Sequence, residues 1–348
     1  MSPHIFTLLL LALGLGTMIT LSSSHWLLAW MGIEINTLAM IPIMARHHHP
    51  RATEAATKYF LTQAAAAATL LFAATTNAWI TGQWDIQQIM HPLPSTLMII
   101  ALAMKIGLAP IHAWLPEVLQ GLDLLTGLLL STWQKIAPFA LLLQIYPNNP
   151  ALLVSMGLLS TLVGGWGGLN QTQLRKILAY SSIAHLGWMI MITQFSPALA
   201  LLTLLTYFAM TSSTFLVFKL NNSTNINSLA TSWAKAPALT ALAPLLLLSL
   251  GGLPPLTGFM PKLLILQELS KQDLVLTASL AAFSALLSLY FYLRLSYAMT
   301  LTTSPNNLTG SLPWRLHFSK TSLPLAVLTL TALSLLPLTP TVIAILTP

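Results

Sequence analysis

The chain has 348 residues, 55% of them hydrophobic and 6% charged, with a mean hydropathy of +0.77. A soluble domain of this size carries roughly 25% charged residues to clothe its surface, so a water-soluble fold is excluded and lipid must be the solvent for most of the chain. There is no cysteine, which removes disulfides, thiolate metal sites and cysteine-held iron–sulfur clusters, and the formal charge is +7.

Lipid cannot hydrogen-bond a bare backbone, so crossing segments must be helices or a closed barrel. Barrel strands alternate apolar and polar residues over short stretches. Here the apolar runs are continuous over about twenty residues, which predicts an all-α polytopic bundle. The pattern places about eleven spans, over 3–21, 25–44, 59–80, 95–118, 123–146, 151–169, 174–195, 198–220, 237–269, 274–300 and 323–345. The first enters apolar sequence at Ile5, without a basic lead, an Arg-rich transit segment or a small-residue cleavage site, and is read as a retained span. The connections are short and rich in Pro, Asn, Thr and Gly, so 1–348 reads as a single transmembrane domain.

Two segments are interrupted. The fourth contains KIGLAPIHAWLPE, with Gly107, Pro110 and Pro116. The ninth is too long for one straight span and carries Gly251, Gly252, Pro254, Pro255, Gly258 and Pro261. Proline removes a backbone donor and clashes with the preceding turn, so each segment is expected to form two half-helices joined by unwound chain. Such breaks are tolerated at membrane depth only where the backbone is buried in protein or lines a wet cavity. The fourth and ninth segments are an odd number of spans apart, so one is inverted relative to the other. Paired interruptions of this kind point to inverted five-helix repeats, approximately 1–146 and 151–300, with 323–345 as a final span.

The basic residues are tested first as topology signals. Arg46, Arg51, Lys58, Arg175, Lys176, Lys219, Lys235, Arg294, Arg315 and Lys320 all fall on even-numbered loops or their boundaries, and only Lys271 falls on the other side. The excess positive charge therefore orients the chain, with the N-terminus inside, and gives no reason to expect nucleic acid as a partner.

Lys105, Lys135, Lys262 and Glu34 remain at membrane depth. A charge there costs at least roughly 2.5–3.5 kcal/mol, so each needs a reason. Snorkelling is the bland one. Lys105 and Lys135 lie about ten or more residues inside their spans, some 15 Å from the nearer end, beyond the easy reach of a lysine stem. Lys262 lies either beside the break at mid-membrane or at a displaced half-helix end. Desolvation favours a neutral amine and a nearby carboxylate favours the charged one, so a Glu–Lys pair that forms and separates is a proton switch. Histidine bridges such relays. His112, after the Pro110 break, and His185, within SSIAHLGW, are candidates, with a hydrogen-bonded structural role as the competing reading for each. His47, His48 and His49 sit beside arginines without a carboxylate and read as interfacial, Glu117 and Asp123 as helix-end residues, and the sequons at Asn170, Asn222 and Asn307 face the inner side, which argues against glycosylation.

Five stretches carry a resemblance: WMGIEINTLAMIP around Glu34, PRATEAATKYFLTQA at 50–64, MKIGLAPIHAWLPEVLQG at 104–121, LLSTWQKIAP at 129–138 and GGLPPLTGFMPK at 251–262. Over essentially its whole length the chain resembles the antiporter-like membrane subunits of respiratory complex I, the NADH–ubiquinone oxidoreductase, in their animal mitochondrial form. The resemblance implies inverted five-helix repeats, each with a broken helix. It also implies N-terminal helices present in bacterial members and lacking here, which agrees with about eleven spans. By the same resemblance Glu34 pairs with Lys105 of the first broken helix, Lys135 is the connecting lysine, Lys262 belongs to the second broken helix, and His112 and His185 lie on the polar axis. It further implies no cofactor in this chain, since NADH, FMN, iron–sulfur clusters and ubiquinone are handled by other subunits. The partners it implies are the other membrane-arm subunits, including neighbouring antiporter-like subunits, and membrane lipids. The expected location is the mitochondrial inner membrane, with the N-terminus on the matrix side.

The reading is a proton-translocating subunit that couples NADH:ubiquinone electron transfer to pumping through a buried Glu/Lys relay. The rivals are a free-standing cation/proton antiporter and a structural membrane scaffold that conducts nothing.

Overall fold

The computed structural model describes residues 2–46, 49–89, 91–145, 150–234, 237–301 and 322–346. His47, His48, Lys235, Arg315, Lys320 and the Asn307 sequon lie outside them. The described residues are almost entirely helical and form no β-strand beyond isolated bridges. The chain divides into two compact units, Met1–Gly157 and Leu158–Pro348.

The first unit holds α1 (Pro3–Ser22), α2 (Trp26–Met44), α3 (Pro50–Thr81), α4 (Pro92–Ile106), α5 (Trp114–Gly121), α6 (Leu124–Ser131), α7 (Trp133–Gln144) and the start of α8 (Pro150–Gly168). α1 and α2 cross at two glycines. A Cβ on Gly16 would lie 2.7 Å from the Gly32 carbonyl, and one on Gly32 would lie 2.8 Å from the Gly16 carbonyl. Small residues at a crossing let two backbones touch, which is how helices associate in lipid. α3 starts some two turns earlier than the apolar pattern predicts. Pro50 occupies its first turn and the His49 ring accepts from the Arg51 amide, so proline and cap together set the start. Its 32 residues span about 48 Å, longer than a bilayer core, so its charged first turns project beyond the apolar region.

The fourth expected span is broken as predicted. α4 ends at Gly107, whose φ of 87° only glycine adopts readily, and the Gly107 and Leu108 amides both donate to the Ala103 carbonyl. The fifth span is also interrupted, which the pattern did not predict. Thr132 leaves helical geometry between α6 and α7 (φ −112°, ψ −72°). The Ser131 and Thr132 hydroxyls both donate to the Leu128 carbonyl and compete with the backbone there. Pro138 then removes a donor one turn into α7.

The second unit holds the rest of α8, α9 (Leu174–Ile192), α10 (Pro197–Leu220), α11 (Ile226–Ala230), α12 (Pro237–Gly251), α13 (Phe259–Lys271), α14 (Val275–Thr300), α15 (Ser322–Ser334) and α16 (Thr339–Leu346). The ninth expected span is α12, a break, and α13. Gly252 has φ +80°, and its amide and that of Leu253 both donate to the Leu248 carbonyl. This repeats the pattern at Gly107, and the residue order repeats too: Gly107-Leu108, Pro110 and Pro116 answer Gly252-Leu253, Pro255 and Pro261. The eleventh expected span is not straight. The chain bends by 69° at Leu335, between α15 and the arm that begins with the short 3-10 turn Leu336–Leu338, in whose first positions Pro337 sits.

Among the described residues, six helices are long and apolar enough to cross a membrane singly, and α15 with α16 reaches the same length and apolarity only as a bent pair. The expected spans that miss this criterion are α4–α5, α6–α7, α9 and α12–α13. These are the segments that carry Lys105, Lys135, His185 and Lys262. The polar groups and the breaks that accompany them lower the apolar signal of the elements that hold them.

Candidate proton-transfer site

In the first unit, α2, α3, α4, α5 and α7 converge on a narrow cavity. Lys105 and Lys135 line it together with Asn36, Thr37, Tyr59, Gln63, Trp114 and Gln134, among apolar walls from Ile33, Ile106, Leu115, Leu130 and Pro138. It has room for about one water molecule. Lys105 sits in the last turn of α4, immediately before the Gly107 break, and its side chain is 2% exposed. Its amine lies 3.9 Å from Glu34 Oε2 on α2. That is ion-pair range but too long for a hydrogen bond. Both atoms are buried, and neither makes a hydrogen bond. Lys135 sits in the first turn of α7, just past the Thr132 interruption, and is 2% exposed.

Polar side chains fix the backbone around these lysines. Gln63 Nε2 donates to the Lys105 carbonyl at 3.3 Å, Gln134 Nε2 donates to the Asn36 carbonyl at 3.3 Å, and the Trp114 indole donates to the Met104 carbonyl at 3.1 Å. The Trp114 bond runs from α5 back to the end of α4 and so braces the break. Both lysines, held on different helices, thus line one narrow space, with Glu34 in ion-pair range of the Lys105 amine.

Lys262 lies in the second unit. It projects from the first turn of α13 back across the break and donates to the Gly251 carbonyl at 2.8 Å and the Leu250 carbonyl at 3.4 Å, the C-terminal end of α12. Gly252 leaves room for it, since a Cβ there would lie 2.9 Å from the lysine amine. Of the two placements the sequence left open, beside the break and at a half-helix end displaced from it, Lys262 takes the one beside the break. Lys105 and Lys262 therefore place a cation at the C-terminal dipole end of the first half-helix of their respective breaks, one from within that helix and one from across the gap.

His185, on α9, is buried with its ring tilted against Tyr207 at 5.6 Å. Tyr207 hydrogen-bonds to Ser182, and Tyr292 of α14 approaches Ser181, so His185 sits in a polar seam within its unit. His112 is not brought to the lysine cavity. It is half-buried in the break itself, with Nδ1 3.2 Å from the Pro110 carbonyl of its own turn. Glu117, read as a helix-end residue, does lie in the first turn of α5, and it also binds Lys58 at 2.8 Å; Lys58 binds Glu54 at 2.8 Å as well. Asp123 is the N-cap of α6.

Sequence reasoning missed Tyr59, Gln63, Asn36 and Gln134. Their signal was present: Tyr59 and Gln63 are four residues apart on one face of an alanine-rich helix, and Asn36 and Gln134 neighbour the charged residues already singled out. Among the described residues, no group of three or more metal-ligating side chains is placed to hold an ion.

The NADH:quinone oxidoreductase/Mrp antiporter transmembrane family matches residues 23–288, and the NADH dehydrogenase subunit 2 C-terminal family matches 289–343. An NADH-ubiquinone oxidoreductase chain 2 from Tetraodon nigroviridis is 72% identical over 99% of both chains, and one from Salmo salar is 68% identical over the full length of both. The fold is similar to a chain in respiratory complex I from Thermus thermophilus with bound aureothin, with a TM-score of 0.86 and 31% identity over 98% of this chain and 79% of that one. It is also similar, in fold alone, to a chain of the Mrp complex from Dietzia sp. DQ12-45-1b, with a TM-score of 0.81 and 17% identity over 97% of this chain and 76% of that one. Two family models that together run almost end to end, with full-length relatives at about 70% identity, make this chain an integral membrane protein of the NADH-ubiquinone oxidoreductase chain 2 family, with an antiporter-like fold.

Proposed function

We propose that this chain is the antiporter-like, proton-translocating subunit of respiratory complex I in the mitochondrial inner membrane, and that Glu34, Lys105 and Lys135 in the first unit and His185 and Lys262 in the second carry the proton. One observation carries the reading: Glu34 and Lys105 face each other at 3.9 Å beside a cavity shared with Lys135. His112, in the break that follows Lys105, joins the relay only if the break rearranges. NADH oxidation in other subunits supplies the energy by shifting the charge states in turn, and this chain's own residues hold and move the proton. The partners are the other membrane-arm subunits and the surrounding lipid. Flavin, iron–sulfur clusters and quinone chemistry belong to those partners, in keeping with a chain that has no cysteine. The shared residue order and hydrogen bonding at the two breaks support inverted repeats over about 1–146 and 151–300. The basic loops support an N-terminus on the matrix side.

The test is Lys105→Met in the assembled, reconstituted complex. Methionine keeps the stem and removes the titrating group. The expected result is an intact complex whose proton-to-electron ratio and coupled turnover both fall; unchanged pumping and turnover would sink the reading and favour a scaffold.

A further inference from the structure

We propose that the Tyr59 hydroxyl hands the proton between Lys105 and Lys135 in the first unit's cavity, an inference that rests on the relay reading above. The cavity lining narrows the choice. Thr37 Oγ1 donates to the Glu34 carbonyl at 2.9 Å, and the amide nitrogens of Gln63 and Gln134 and the Trp114 indole each hold a main-chain carbonyl. Asn36 Oδ1 is turned against α1, where a Cβ on Gly16 would meet it at 2.4 Å. Carboxamides and indoles also relay protons poorly, because they must first adopt a high-energy tautomer. Tyr59 lines the same cavity, and no hydrogen bond to another described residue engages its hydroxyl. A phenol can accept and donate at once.

The surroundings hold this ring in place. Tyr59 is 2% exposed and its ring is tilted by 60° against Trp114 at 5.8 Å. Trp114 is bonded to the Met104 carbonyl, and Gln63, one turn along α3 from Tyr59, is bonded to the Lys105 carbonyl. The ring is therefore fixed relative to the two peptide groups that flank the Lys105 side chain. In the transfer, an N–H bond of the Lys105 ammonium breaks as Tyr59 Oη accepts that proton. The original O–H proton of Tyr59 passes to the neutral Lys135 amine, directly or through the one water the cavity admits. Lys105 ends neutral, Lys135 ends as ammonium, and the phenol is restored without oxidant or reductant.

The experiment is Tyr59→Phe in the assembled complex, which keeps the ring against Trp114 and removes only the hydroxyl, with Lys105→Met measured in parallel. The expected result is normal abundance of the complex and normal NADH oxidation with an artificial acceptor that bypasses the membrane arm. Coupled turnover and pumping should fall about tenfold, with a raised solvent deuterium isotope effect, as expected when a positioned proton-transfer group is lost. If Lys105→Met is impaired and Tyr59→Phe matches the unmodified complex in turnover and isotope effect, the bridge is overturned and the relay stands. If Tyr59→Phe prevents assembly, the hydroxyl is structural and the bridge is equally overturned. If Lys105→Met pumps normally, the relay reading itself fails and takes the bridge with it.

Discussion

At the scale of single residues, the Glu34–Lys105 pair is poised rather than locked. At 3.9 Å, two unit charges attract by about 4 kcal/mol at an effective dielectric of 20, an attraction that works against the desolvation of the buried amine. Neither group makes the hydrogen bonds that would make the pair permanent. The Glu34 side chain retains 25% exposure while Lys105 retains 2%, so the carboxylate can be rehydrated at lower cost than the amine. Separation of the pair should therefore release the Lys105 proton. Replacing Glu34 by Gln removes the attraction and keeps the shape. Lys105 then loses the carboxylate that faces it at 3.9 Å. Coupled turnover should fall about tenfold while the amount of assembled complex, read on a native gel, changes little. Full activity in Glu34→Gln would show that the pair has no part in transfer.

At the scale of elements, the breaks depend on close backbone approach. A Cβ on Gly258 would stand 1.9 Å from the Ser249 carbonyl oxygen, and a backbone atom cannot swing aside as a side-chain tip can. Gly258→Ala should cost about 3 kcal/mol and lower the yield of assembled complex. Gly14→Ala is the control: nothing lies within 4 Å of its Cβ, so it should leave assembly unchanged or slightly improved. Equal yields from the two variants would show that the second break does not need its glycine. How far such elements could be read in advance followed from their chemistry. The α4–α5 and α12–α13 breaks were legible because glycine and proline act on the backbone directly, whatever surrounds them. The Thr132 interruption was hidden because Ser131, Thr132 and Pro138 are individually tolerated in membrane helices, and only their shared effect around one turn breaks the ladder. Glu34, Lys105 and Lys135 stood out because a charge in an apolar run is conspicuous. Tyr59 and Gln63 did not, because neither is charged and their roles depend on which helices α3 meets.

At the scale of the whole molecule, orientation rests on where the basic residues fall. The chain has no cysteine, so a single introduced thiol reports one position without background from the rest of the chain. Arg51 and Thr172 are exposed on even-numbered connections, and Gln87 and Gln272 are exposed on odd-numbered ones. Positive charge is retained on the side where the chain is inserted, so the proposed orientation predicts the even connections on the matrix side. A membrane-impermeant maleimide applied to sealed mitoplasts, followed by peptide mass analysis, should modify Gln87→Cys and Gln272→Cys and leave Arg51→Cys and Thr172→Cys untouched. Inverted inner-membrane vesicles should give the opposite pattern. Because Gln87 precedes the first broken span and Gln272 follows the second, labelling both from one face also checks the number of crossings between them. Modification of Thr172→Cys and Gln272→Cys from the same face would require an odd change in the span count between α8 and α14, and inverted repeats could not then be built from these two breaks.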